Sequence, residues 1–139
     1  MTDIELIKQA EQARSRAYAP YSGCRVGTAL LCTDGTIYLG CNIENEAYSP
    51  SLCAERVAFA KAISEGKRNF TAIAVSGGTE TEPDQNFPPC GVCRQVMAEF
   101  CTEEFRIVLG TAAKPQAFQL KELLPKAFHR KRKMYYENV

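Results

Sequence analysis

After Thr2-Asp3-Ile4-Glu5 the apolar positions fall at helical spacing: Ile7, Ala10, Ala13 and Ala17 mark one face of a helix predicted to run to about Tyr18, ahead of Pro20. Its start has a capping-box pattern, a side-chain oxygen at Thr2 and a carboxylate three residues on at Glu5. Two apolar runs, Arg25 to Cys32 and Ile37 to Cys41, read as strands, and Asp34-Gly35 between them is a strong hairpin signal. The polar stretch Asn42 to Ser51 contains Pro50 and reads as a loop. Leu52 to Ser64 is a second predicted helix, stopped at Gly66, in which Ala54, Ala58 and Ala62 form a smooth stripe suited to close packing on a sheet.

Thr71 to Ser76 is short, apolar and β-branched, a buried strand, and Gly77 to Pro89 is a long loop of turn residues. Cys90 to Cys101 is a third helix with Val92, Val96, Met97 and Phe100 as its apolar face. Phe105 to Gly110 reads as a strand, Ala117 to Leu120 as a short edge strand, and Glu122 to Leu124 as a brief helix ended by Pro125. From about His129 a basic tail, Arg130 to Lys133, reads as a solvated end. Strands alternating with helices predict an α/β fold, a mixed sheet covered by helices on both faces, with the antiparallel hairpin within or beside the parallel part. No repeat, linker or low-complexity segment divides residues 1–139, so a single domain is expected.

Composition narrows the classes. With 45% hydrophobic and 24% charged residues the chain is neither disordered nor membrane-embedded. Seventeen basic against sixteen acidic residues leave +1, which points to no polyanionic partner. The first residues lack the basic and apolar regions of a secretory signal, and seven cysteines, an odd number, argue against a disulfide framework, so a reducing cytoplasm is the expected setting. Cysteines there are metal ligands, catalytic groups or small buried hydrophobes; Cys24, Cys32, Cys41 and Cys101 read as packing residues.

The remaining three carry chemistry. In Pro88-Pro89-Cys90-Gly91-Val92-Cys93-Arg94 the prolines precede a helix start, so Cys90 and Cys93 share one face of its first turn, where backbone N–H groups favour thiolates. Such a pair is half of a metal site or a redox dithiol. Cys53 opens the preceding predicted helix, and helix starts that follow strands in α/β units gather at one sheet edge. Three thiolates would fill three positions of a tetrahedral zinc and leave the fourth for water. Glu55, two residues on, would serve as general base and acid if the helical turn begins at Cys53 and lets the carboxylate swing over the metal. Cys53-Ala54-Glu55 with Pro89-Cys90-Gly91-Val92-Cys93 is the spacing of the zinc deaminases, which act on nucleobase amino groups.

Nearly end to end, the chain resembles the small homotetrameric cytidine deaminases. Further matching segments are Ala19-Pro20-Tyr21-Ser22, Val26-Gly27, Gly40-Cys41-Asn42-Ile43-Glu44-Asn45, Cys53-Ala54-Glu55-Arg56, Arg94-Gln95 after the second cysteine motif, and Glu122-Leu123-Leu124-Pro125. The resemblance implies a three-layer αβα fold with a mixed five-stranded sheet and an N-terminal antiparallel hairpin. It implies one Zn²⁺ per subunit on Cys53, Cys90 and Cys93, and hydrolysis of cytidine and deoxycytidine to uridine, deoxyuridine and ammonia in pyrimidine salvage. It also implies that Asn42 and Glu44 hold the ribose hydroxyls, that the Ala54 backbone and Glu55 read the base, and that Phe128 covers the pyrimidine in a neighbouring subunit. Tyr48 would lie near that intersubunit site. The match departs at Cys24, where the family commonly has a Phe that helps wall the base pocket.

Three thiolates on Zn²⁺ leave a net −1, which Arg56 or Arg94 would offset; the resemblance favours Arg56 donating to the sulfurs. Glu44 would repel a phosphate and there is no glycine-rich phosphate loop, so the expected partner is a free nucleoside. Blasticidin-type deaminases are the nearest alternative. An RNA or DNA cytosine editor would need an open channel with aromatic platforms, and with net charge near zero nucleic acid is not the expected partner. A redox dithiol leaves Cys53 and Glu55 without a role, and a closed structural zinc site lacks a fourth ligand, the only histidine being His129 in the tail.

Overall fold

The structure, a computed structural model, describes residues 1–130; Lys131 to Lys133 of the basic tail lie outside the described residues. The first helix, α1 (Asp3–Ala13), begins with the capping box at Thr2 and Glu5. It stops short of Tyr18: a tight turn over Arg14–Arg16 follows, and Ala17 is extended. Pro20 disfavours helix just upstream of itself, and Tyr18 instead donates its N–H to Asn42 O at 2.9 Å. Strands β1 (Arg25–Cys32) and β2 (Ile37–Cys41) form the expected hairpin, with Gly35 at φ +90° and Asp34 accepting from Thr36 N at 2.9 Å.

Helix α2 (Ala54–Ser64) and helix α3 (Gly91–Phe100) each start one residue after a cysteine, Cys53 and Cys90 being their N-caps. Between them, β3 (Phe70–Gly78) outruns the predicted strand at both ends. Strands β4 (Arg106–Gly110) and β5 (Pro115–Gln119) complete the sheet before the short α4 (Leu120–Leu123), which starts two residues earlier than expected. Its capping box pairs Gln119 with Glu122, an N-cap type less conspicuous than Ser or Thr.

The five strands lie in the order β2-β1-β3-β4-β5, antiparallel at every pairing except β3 with β4. The β3-α3-β4 crossover supplies that one parallel pair. Alternation along the strands separates two layers. Leu6, Ile7 and Ala10 of α1 pack over Ala29, Ala72, Ala74 and Val108, while α2 and α3 cover Leu30, Ile73, Val75 and Ile107 on the opposite face. This is the expected three-layer arrangement. The alanine stripe of α2 is fully buried, and a Cβ on Gly40 of β2 would come 2.8 Å from Ala58 N, so the helix rests directly on the strand backbone. Phe59 anchors the layer against Phe70, ring centroids 5.1 Å apart and edge-on.

The predicted apolar face of α3 is rotated. Cys93, Met97 and Ala98 are its buried residues, whereas Val92 and Phe100 are exposed. The helix aims its first-turn cysteine inward, and the buried stripe follows from Cys93 by one turn to Met97.

Strands β2 and β3 are both antiparallel to β1 and therefore run in the same direction. Cys41, Gly27 and Ser76 form one row across them, so both strands leave the sheet at the same edge. The helices that follow them consequently begin there side by side. That edge carries the site.

Candidate metal centre and active site

At the two helix starts, the Sγ atoms of Cys53, Cys90 and Cys93 lie within 4.8 Å of one another. Cys53 to Cys90 is 3.8 Å and Cys90 to Cys93 is 3.4 Å. Thiolates about 2.3 Å from a tetrahedral zinc are roughly 3.8 Å apart, so the cluster fits that ion with little adjustment. All seven cysteines are free thiols, and Cys32 is buried packing as expected, whereas Cys24 is half-buried and lines the cavity described below.

The electrostatics favour negative sulfur at Cys53. Cys53 sits well below an ordinary thiol because Cys93 donates to it, with Arg56 and Cys90 adding to the effect. Cys93 is pushed up in turn by the adjacent Cys53, by its own burial and by Glu55. Arg56 donates from Nη2 to Cys53 Sγ at 3.4 Å, and its Nε is buried with no hydrogen-bond partner among the described residues. A guanidinium left in that position matches a cluster that carries negative charge. Arg94 plays no such part: it donates to Pro89 O at 2.8 Å and to Leu123 O at 2.6 Å, tying α4 to the loop before Cys90.

Glu55 follows the Cys53 N-cap in the first turn of α2, and Thr28 Oγ of β1 holds that turn down by donating to Ala54 O at 3.0 Å. The Glu55 side chain is only 3% exposed, and burial pushes its carboxyl up to about 7. That value is close to neutral pH, where one group accepts and returns a proton most readily.

A cavity of about 650 Å³ is lined by Cys53, Cys90 and Glu55 together with Glu44. Glu44 accepts from Tyr21 N at 3.0 Å, Ser22 N at 3.2 Å and Ser22 Oγ at 2.5 Å, and the Ser22 hydroxyl with these N–H groups holds it below the usual carboxylate range. Asn42, Ala54, Cys24 and Tyr48 also line the cavity. The Asn42 amide bridges the strand start, accepting from Val26 N and donating to Cys24 O, both at 2.8 Å, which leaves one N–H and one lone pair free. Tyr48 has φ +62° and its side chain is 80% exposed at the rim.

Phe128 does not reach this chain's cavity. It is 69% exposed, neither a core contact nor a lining residue, and its carbonyl accepts from Gln95 Nε2 at 3.2 Å. Several lining residues were given no role from the sequence, Ser22 and Phe87 among them. Ser22 is Glu44's clamp, and Phe87 is the lone aromatic in a loop of turn residues.

Comparison with known proteins agrees with this geometry. Residues 1–109 match the family model described as the cytidine and deoxycytidylate deaminase zinc-binding region. A cytidine deaminase of Sporosarcina psychrophila is 50% identical over 128 residues, 91% of each chain. A crystal structure of cytidine deaminase from Burkholderia pseudomallei superposes with a TM-score of 0.84 at 43% identity, covering 92% of this chain and all of that one. A blasticidin-S deaminase of Bacillus cereus is similar at only 27% identity, over 92% of this chain and 93% of its own. Sequence, fold and the thiol cluster thus converge, and the chain belongs to the cytidine and deoxycytidylate deaminase family.

Proposed function

We propose that the chain hydrolyses cytidine and deoxycytidine to uridine and deoxyuridine plus ammonia, with one zinc per subunit held by Cys53, Cys90 and Cys93. The observation that carries this reading is the buried Glu55 carboxylate beside the three thiols, in the lining of a cavity of about 650 Å³. When bound, zinc supplies Lewis acidity, which lowers the pKa of a water molecule from about 15.7 toward roughly 7. Glu55 takes a proton from the attacking water and delivers one to ring N3, which makes C4 electrophilic. The hydroxyl oxygen adds at C4, Glu55 takes that hydroxyl's remaining proton and passes it to the amino group, and ammonia leaves as the C4 carbonyl forms. The carboxylate ends as it began, so one residue is base and acid in turn.

Asn42 and Glu44 take the sugar. Glu44, held ionised by Ser22 and two backbone N–H groups, accepts from hydroxyls and repels phosphate. The Ala54 backbone meets the base beside Glu55, and Cys24 forms part of the wall. The expected result is turnover of cytidine and deoxycytidine, followed by ultraviolet absorbance, with cytidine monophosphate and blasticidin S far slower. Failure of zinc-loaded protein to deaminate either nucleoside would overturn the reading.

The working unit in this reading is a homotetramer in which Phe128 covers the base in a neighbour's cavity. Exposed apolar residues at the rim support it. Tyr18 pairs with Ile43 and Ile43 with Leu52 through isolated β-bridges, so these three exposed side chains, with Tyr48 nearby on the same loop, belong to one surface. Subunits separated by dilution should retain cavity and zinc but be nearly inactive; full activity of a monomer in sedimentation-matched assays would contradict the shared site.

A further inference from the structure

Of the aromatic side chains lining the cavity, Tyr21 and Tyr48 are exposed at the rim, and Phe87 alone is half-buried and anchored. Its ring occupies the place of a missing side chain. A Cβ on Gly77 would collide with the Phe87 ring, coming 2.5 Å from both Cγ and Cε1. Gly77 lies on the sheet face covered by α2 and α3, directly across from Val26, which also lines the cavity. The next pair on that face, Thr28 with Val75, carries the first turn of α2 through the Thr28–Ala54 hydrogen bond. Two residues along a strand span about 7 Å. The Phe87 ring and the Ala54-Glu55 turn therefore stand side by side on one strip of sheet, and both line the cavity.

The loop bearing Phe87 is pinned. Asp84 N donates to Gly77 O at 2.7 Å, Gln85 Nε2 to Lys114 O at 2.7 Å, and the buried Arg14 guanidinium to Thr79 O and Glu82 O. Pro88 and Pro89 then lead without a turn of helix into the Cys90 cap. Cys24, elsewhere on the wall, offers no ring.

We infer that Phe87 is a specificity-determining residue, the fixed aromatic wall on which the flat base stacks beside Glu55. This rests on the cytidine deaminase reading above. Phe87→Ala should raise KM for cytidine by roughly 5- to 150-fold, the range for a lost base–aromatic stack, with kcat changed far less and zinc content unchanged. Phe87→Tyr should restore most of the affinity, and Phe87→Leu, which fills the space over Gly77 without a π face, should not. Gly77→Ala, which displaces the ring without removing it, should raise KM in the same direction. A Phe87→Leu protein with wild-type KM, or a Phe87→Ala protein that folds and binds zinc with KM within twofold of wild type, would overturn the inference while leaving the deaminase reading intact. Wild-type protein that does not turn over cytidine would overturn the reading and this inference with it.

Discussion

Glu55→Gln is expected to reduce cytidine turnover by on the order of 10⁴-fold while leaving zinc content and fold unchanged. The amide keeps the shape of a side chain that is 3% exposed, so packing is preserved, but it can neither take nor return a proton. Glu55 is asked to move protons at two points of one reaction, which places the loss at the upper end of the range for general acid–base catalysis. It is not one of the three thiols, so metal analysis of the purified variant should match wild type. A variant that retains zinc and more than about a tenth of wild-type kcat would remove Glu55 from the proton path.

Replacing any one of Cys53, Cys90 and Cys93 by Ala should abolish zinc retention and turnover together. The three sulfurs lie within 4.8 Å of one another, so each variant leaves a site with too few ligands. The effect should exceed that of Arg56→Ala, which removes a donor to Cys53 Sγ rather than a ligand and should weaken zinc affinity or rate by roughly 10–100-fold. A redox dithiol would behave differently: Cys53→Ala would be harmless, and Cys90 and Cys93 would interconvert with a disulfide in the absence of metal. Metal analysis with thiol titration separates the two, and a Cys53→Ala protein with full zinc would refute the three-thiol centre.

The parts of the molecule that could be read from the chain are those set by local chemistry. Asp34-Gly35 marks the hairpin between β1 and β2, which closes on a three-residue loop, Thr33 to Gly35, with Gly35 at φ +90°. Cys53 and Cys90 cap helices because each follows a loop and precedes a run with helical spacing, and the shared direction of β2 and β3 then brings the caps together. What escaped was decided across the fold. The end of α1 depends on Arg14 turning toward the carbonyls of Arg25, Thr79 and Glu82, far along the chain. Val92 looked like a core residue of α3 but is exposed, because the position of Cys93 sets which side of the helix faces in. Asn42, expected only to hold a sugar hydroxyl, also ties down the start of β1 through the Val26 N–H and the Cys24 carbonyl, with one N–H and one lone pair of its amide left over. The place of Phe87 could not be foreseen without knowing that the residue beneath it, ten positions earlier, has no side chain.

The most direct test of the central claim is turnover of cytidine by zinc-loaded protein in ¹⁸O-labelled water, with the uridine analysed by mass spectrometry and ammonia measured in parallel. Hydrolysis beside Glu55 predicts uridine carrying a single solvent oxygen at C4 and one ammonia released for each. No uridine, or uridine without the solvent label, would contradict it.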